Sequence, residues 1–242
     1  MMNTALPIAP QVNDDPLSQY TLDLLRLRPR VSPVDDVLAE MEAIAAERNI
    51  PIVGPIEGAI IQTLVASTAS PRRVLELGTA IGYSTIWLAR TLPTGSHVTS
   101  IEIDPERVAM ARDYVRRAGL ESRVTILEGD FFDLLPTLQG EFDVIFQDFI
   151  KHLYFEASTD LALRTLDICL RLLKPNGLLL GDNAFCLGEV LENGHGALSN
   201  RVVGIQAYNL ALAKHPDLES IIIPVRDGLW VSYKRANSTL AE

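Results

Sequence analysis

Cysteine is nearly absent from this chain: Cys169 and Cys186 are the only two in 242 residues. They form no Cys-x-x-Cys pair and cannot build a disulfide framework, so a reduced compartment is the simpler setting. Positive charge is also scarce. Twenty-one Lys and Arg face 31 Asp and Glu, a formal net charge of -10. That balance argues against a broad nucleic-acid footprint, which needs clustered cations. A few local cations could still hold a small anion. No apolar run reaches the roughly 18–20 residues needed to cross a bilayer. Met1 to Asp15 lacks a basic segment followed by an apolar core, so no secretory signal is expected. The sequence therefore predicts a cytoplasmic protein with neither nucleic acid nor membrane as partner. It contains no internal repeat and no low-complexity segment.

What is present is apolar residue content of 48%, enough for a substantial core in one α/β domain with an ornament. Residues 1–15 are polar and contain proline. A helix is expected from Asp15-Pro16 through Leu27, interrupted by Pro29 and Pro33. Residues 1–34 thus form a tail and helix suited to a substrate lid or a dimer arm. Pro33 to Asn49 and Glu57 to Ser67 carry apolar residues at helical spacing.

From Val74 onward, strands and helices alternate, which signals a parallel sheet. Strands are expected at Val74–Leu77, Val98–Asp104, Val124–Leu127, Phe142–Gln147 and Leu178–Leu180. Pro175-Asn176-Gly177 reads as a turn before the last of these. Helices are expected at Tyr83–Arg90, Pro105–Gly119, Asp160–Leu173 and Arg201–His215. Glu219–Val225 and Leu229–Lys234 read as a closing antiparallel pair joined by Arg226-Asp227-Gly228.

The pivotal stretch is Val74-Leu75-Glu76-Leu77-Gly78-Thr79-Ala80-Ile81-Gly82-Tyr83-Ser84, a buried strand, a glycine turn and a helix start. Its Gly-x-x-x-Gly spacing is not the Gly-x-Gly-x-x-Gly of dinucleotide folds, which disfavours a nicotinamide-dependent oxidoreductase. Glu102, at the end of the next strand, stands where an acid can accept both ribose hydroxyls of a nucleoside. Asp130-Phe131 follow the third strand, Asp148 the fourth, and Asp182-Asn183 the fifth. Ligands bind outside the carboxyl ends of such strands, so all of these converge on one rim. Asp148, Asp182 and Asn183 are hard oxygen donors that suit Mg²⁺ or Ca²⁺ better than zinc. The same residues also serve as strand-end caps and turn formers, and spacing alone leaves both readings open. Lys151, three residues beyond Asp148, is the candidate base. A neighbouring divalent cation would disfavour its charged form.

Glu76, Gly78, Gly82 and Glu102 together resemble the S-adenosylmethionine site of class I methyltransferases. Phe146-Gln147-Asp148-Phe149-Ile150-Lys151-His152-Leu153-Tyr154, followed by Gly181-Asp182-Asn183, resembles the metal-dependent catechol and caffeoyl-CoA O-methyltransferases. Val53-Gly54-Pro55-Ile56-Glu57-Gly58 and Pro224-Val225-Arg226-Asp227-Gly228-Leu229 are similar to the bacterial members, so the likeness spans residues 35 to 235. The resemblance implies a Rossmann-like seven-stranded sheet, mostly parallel with an antiparallel last strand, helices on both faces, and a methyltransferase domain over residues 35–242. It implies Asp148, Asp182 and Asn183 as ligands of Mg²⁺, or of Ca²⁺ or Mn²⁺ in its place. Lys151 and Asp148 are the implied catalytic residues. Val53, Glu76, Gly78, Ser84, Glu102, Asp130, Phe131 and Asp148 are the implied S-adenosylmethionine contacts. The implied acceptor is a catechol-like vicinal diphenol, and the implied assembly is a homodimer. The alternative is a metal-independent small-molecule O- or N-methyltransferase. Two positions depart from the family: Ile150 replaces the second acid of the caffeoyl-CoA type, and Ile221 stands where the catechol type clamps the second hydroxyl with a carboxylate.

Overall fold

The computed structural model describes residues 16–148, 159–191 and 200–236. Three helices precede the sheet: α1 (Pro16–Arg26), α2 (Val34–Arg48) and α3 (Gly54–Ser67). Then β1 (Arg73–Leu77), α4 (Tyr83–Ala89), β2 (His97–Glu102), α5 (Pro105–Arg117), β3 (Val124–Glu128), α6 (Phe131–Leu134) and β4 (Phe142–Gln147) follow. The chain continues through α7 (Thr159–Leu172), β5 (Leu173–Gly181), α8 (Asn200–Lys214), β6 (Leu218–Ile223) and β7 (Leu229–Lys234).

The strands form one seven-stranded sheet in the order β3-β2-β1-β4-β5-β7-β6. β1 to β5 run parallel, while β7 is antiparallel to both β5 and β6. Alternation along each strand divides the core between the two faces. Val74 and Phe146 face the side covered by α2, α3, α4 and α5, with Met41, Ile61, Ile86 and Val108. Leu75, Leu77 and Ile145 face the other side, with Leu166, Cys169, Val202 and Tyr208 of α7 and α8.

Helix ends follow their local chemistry. Asp104 caps α5 by accepting from the backbone N–H of Glu106 and Arg107, ahead of Pro105 in the first turn. The α3 helix begins at Gly54, three residues before the expected Glu57, because Pro55 can occupy its first turn at no cost in hydrogen bonds. β5 differs more. Pro175-Asn176-Gly177 lies inside the strand as an irregularity, where the pairing jumps from Phe142–Leu173 to Val144–Leu178. Asn176 takes a left-handed φ of 63° there, so the turn signal marks a bulge and the strand resumes.

A close packing joins α3 to α4. A Cβ on Gly58 would lie 2.6 Å from the Trp87 indole Nε1, with ring carbons on either side at 2.7 Å. Gly58→Val should therefore lower stability by about 2 kcal/mol or more through overpacking. A urea titration checks this: an unchanged midpoint would mean that the indole can move aside.

Candidate functional site

Register places the carboxyl ends of the parallel strands in one row. Leu77 pairs with both Ile101 and Gln147, Glu102 with Glu128, and Gln147 with Gly181. One residue further on, the row is therefore Gly78, Glu102, Glu128, Asp148 and Asp182. Strand order reverses between β1 and β4, and such a switch point opens a crevice.

The turn leaving β1 is built on left-handed backbone: φ is 97° at Gly78, 46° at Ala80 and 91° at Gly82. Glycine meets that demand without strain. Gly82 has a second constraint, since a Cβ there would approach the Ala111 Cβ of α5 to 3.1 Å. The Gly78 and Thr79 N–H groups both donate to the Ile101 carbonyl, at 3.0 and 3.2 Å, tying the turn to β2.

Glu76 lies beneath this turn, fully buried. Its Oε2 accepts hydrogen bonds from Thr85 Oγ1 of α4 and Ser100 Oγ of β2, at 2.5 and 2.6 Å. Burial pushes its carboxyl above the ordinary range, opposed by the hydroxyls of Ser100, Ser84 and Thr85. Glu76 and Ser84 thus brace the turn from below, and Glu76 Oε1 has no hydrogen-bond partner.

Glu102 stands at the rim. Its Oε2 accepts from the Ala80 N–H at 2.8 Å, and its Oε1 from the Ile103 and Asp104 N–H groups, both at 3.0 Å. A carboxylate has about four lone-pair sites, so acceptor capacity remains for ligand hydroxyls. The Gly129 N–H donates to the Glu102 carbonyl and brings Asp130 and Phe131 alongside. Asp130 caps α6 through the Phe132 N–H at 2.7 Å, and the Phe131 and Phe132 rings pack with centroids 4.2 Å apart. Val53, buried, directly precedes the first turn of α3. Gly78, Glu102 and Asp130 thus share one rim, with Val53 at the start of the covering helix.

Beside them lies the oxygen cluster. The Asp148 N–H donates to the Leu77 carbonyl at 2.8 Å, and the Asp182 N–H to the Gln147 carbonyl at 3.0 Å. Asp148 is thereby joined by its backbone to the strand that carries the glycine turn. Asp182 Oδ1 accepts from the Asn183 N–H. Asn183 takes a φ of 66°, and its Oδ1 is buried without a hydrogen-bond partner. Buried amide oxygens are normally satisfied. An orphaned one beside two acids is a donor set that fits a hard divalent cation. Among the described residues, no three His, Cys, Asp or Glu side chains are grouped to hold an ion, so the fit rests on two acids and an amide. The hairpin turn supports this segment: Gly228 and Asp227 carbonyls accept from the Ala184 and Phe185 N–H groups at 2.9 and 2.7 Å. Lys151, Ile150 and His152 lie outside the described residues. Ile221 is 64% exposed on β6, so no carboxylate is supplied from that position.

Two residues of the site were not singled out by spacing. Glu57, in the first turn of α3, is fully buried, and neither of its oxygens accepts a hydrogen bond from any donor. Arg226 Nε approaches its Oε2 to 3.7 Å. The group facing Glu57 is the Asp182 carboxyl, with Asp148 also near. A bond between two acids forms only if one keeps a proton. Burial, then Asp182, drive the Glu57 carboxyl well above its ordinary range, with Arg226 opposing. A sequence signal existed: Glu57, Ile61 and Val65 are spaced by four, and the two apolar members are fully buried.

The family model described as O-methyltransferase matches residues 32–235. A catechol O-methyltransferase of Niastella koreensis is 35% identical over 195 residues, covering 78% of this chain and 83% of that protein. The crystal structure of an O-methyltransferase from Bacillus cereus in complex with SAH superposes with a TM-score of 0.73 at 30% identity, covering 90% of this chain and 96% of that one. An O-methyltransferase of Streptomyces achromogenes involved in tomaymycin synthesis, solved with SAM, gives a TM-score of 0.75 at 25% identity, covering 94% and 100%.

Proposed function

The chain belongs to the O-methyltransferase family, and from that premise we propose that it is an Mg²⁺-dependent enzyme that methylates one hydroxyl of a catechol-like small molecule. It is an S-adenosylmethionine-dependent methyltransferase by its likeness to relatives solved with SAH and SAM. The observation that best supports the cation is the orphaned Asn183 Oδ1 beside Asp182, with Asp148 on the adjoining strand end.

Each residue has a task in this reading. Glu102 orients the ribose of the methyl donor through its spare lone pairs. The glycine turn lets the donor approach the backbone of residues 78–80, and Glu76 fixes that turn to β2 and α4. Asp148, Asp182 and Asn183 would hold the cation. When bound, it supplies Lewis-acid polarisation that eases ionisation of the acceptor hydroxyl. Lys151 takes the proton from that hydroxyl, whose unperturbed pKa is about 10. The acceptor oxygen then attacks the donor methyl in line, and much of the acceleration comes from positioning and from water exclusion.

Methyl transfer to a panel of small catechols, with Mg²⁺ and with EDTA, tests the proposal. Transfer with Mg²⁺ should be abolished by EDTA and restored by excess Mg²⁺. Transfer indifferent to EDTA would replace it with a metal-independent methyltransferase. No transfer to any catechol would sink the acceptor class.

A further inference from the structure

Glu57 is the acid for which the reaction above has no use. An uncompensated buried carboxylate is costly, and evolution of a packed helix face offers cheaper residues. Its position repays attention. Glu57 follows the buried stripe of α3, yet its carboxylate faces Asp182 and lies near Asp148. Behind it sits one cation. Arg226 adopts a left-handed φ of 49° in the β6–β7 turn, and its side chain is 20% exposed. Its guanidinium lies against the backbone at Gly54, where a Cβ would meet Nη1 at 2.4 Å. The Nε–Oε2 separation of 3.7 Å makes an ion pair without a hydrogen bond. Arg226 is thus fixed by the same turn whose Asp227 and Gly228 carbonyls support Asn183's neighbours.

Among these four side chains, three carboxylates and one guanidinium leave two negative charges when all are ionised. That is the charge a divalent cation neutralises. The unpartnered oxygens of Glu57 and the unpartnered Oδ1 of Asn183 independently mark the region as built for a ligand. Glu57 is not grouped with the acids closely enough to be a direct ligand. It acts through Asp182.

We propose that Glu57, held by Arg226, is a positioning and charge-setting residue of the cation site: it fixes Asp182 and sets how tightly Asp148, Asp182 and Asn183 hold a divalent cation. This rests on the cation reading of the preceding section. It assigns opposite effects to two residues in contact. A seated cation favours the ionised form of Glu57 over the protonated form that burial and Asp182 favour in its absence, so replacing the carboxyl with an amide, which can never take that charge, weakens cation binding. Removing the Arg226 charge strengthens it, because the remaining field is more negative.

Mn²⁺ alone is the probe, with free Mn²⁺ followed by electron paramagnetic resonance in wild type, Glu57→Gln and Arg226→Gln. Glu57→Gln should raise the Mn²⁺ Kd by about 10- to 100-fold, the usual cost of losing a group that orients a ligand. Its S-adenosylmethionine affinity, measured by calorimetry, should be unchanged. Arg226→Gln should lower the Mn²⁺ Kd. It also carries the test if Glu57→Gln does not fold, because its side chain is partly exposed. An unchanged Mn²⁺ Kd in both variants would overturn the inference and leave the cation site standing. Equal weakening in both would show that the pair only braces the loop, which also overturns it. Wild type failing to bind Mn²⁺ would overturn the cation reading itself.

Discussion

Asp182→Ala is expected to reduce Mg²⁺-dependent methyl transfer by about a thousandfold or more while the protein stays folded. Lewis-acid stabilisation of a developing oxyanion is worth several kcal/mol, and each 1.4 kcal/mol is about tenfold in rate. The structure separates this loss from a folding defect. The tie between β4 and β5 at this point is a backbone bond, from the Asp182 N–H to the Gln147 carbonyl, and alanine keeps it. The substitution removes the Oδ1 acceptor of the Asn183 N–H and the carboxylate facing Glu57. Loss of that like-charge neighbour relieves Glu57, so the melting temperature should hold or rise. Turnover at saturating Mg²⁺, beside a calorimetric titration with S-adenosylmethionine, reads the two effects apart. Near-wild-type turnover with intact donor binding would take Asp182 out of the cation site.

The parts of this architecture that sequence displays are those governed by local rules. Strand alternation such as Val74 to Leu77, the Asp104-Pro105 helix start and the Asp227-Gly228 connection each depend on neighbours in the chain. They were readable, and so was the row of Glu102, Asp130, Asp148 and Asp182, because parallel strands deliver their ends to one edge. β5 resisted because a Pro-Asn-Gly signal is the same for a bulge as for a turn. Only the pairing with β4 decides between them. The Glu57–Arg226 pair resisted for another reason. It joins residues 169 positions apart, and neither member looks unusual alone: one reads as a helix-start acid, the other as a hairpin cation. Their meaning arises when α3 packs over the β6–β7 turn and seals the acid against Asp182. Likewise, nothing in sequence tells that Glu76 lies under its turn and binds Ser100 and Thr85 from below.

Lys151→Ala should lower turnover by about 10²- to 10⁴-fold at neutral pH, the range for a positioned general base. Donor affinity should be kept, because Glu102 and the glycine turn form their contacts without residue 151. The pH dependence distinguishes a base from a mere contact. Below a pKa near 10, the ionised fraction of a free phenol rises about tenfold for each unit that the pH increases. The variant depends on acceptor that has already ionised, so its turnover should climb with pH. The wild type, with its own proton acceptor, should climb less, and the deficit should shrink between pH 7 and about pH 9.5. A catechol whose ring substituents lower the phenol pKa should show a smaller deficit at every pH. Turnover within a few-fold of wild type at pH 7 would remove Lys151 from proton transfer. A deficit of constant size across the whole range would instead mean that the lysine orients the acceptor. In that case the proton leaves by another route, and the carboxylate of Asp148, three residues earlier in the chain, becomes the group to test.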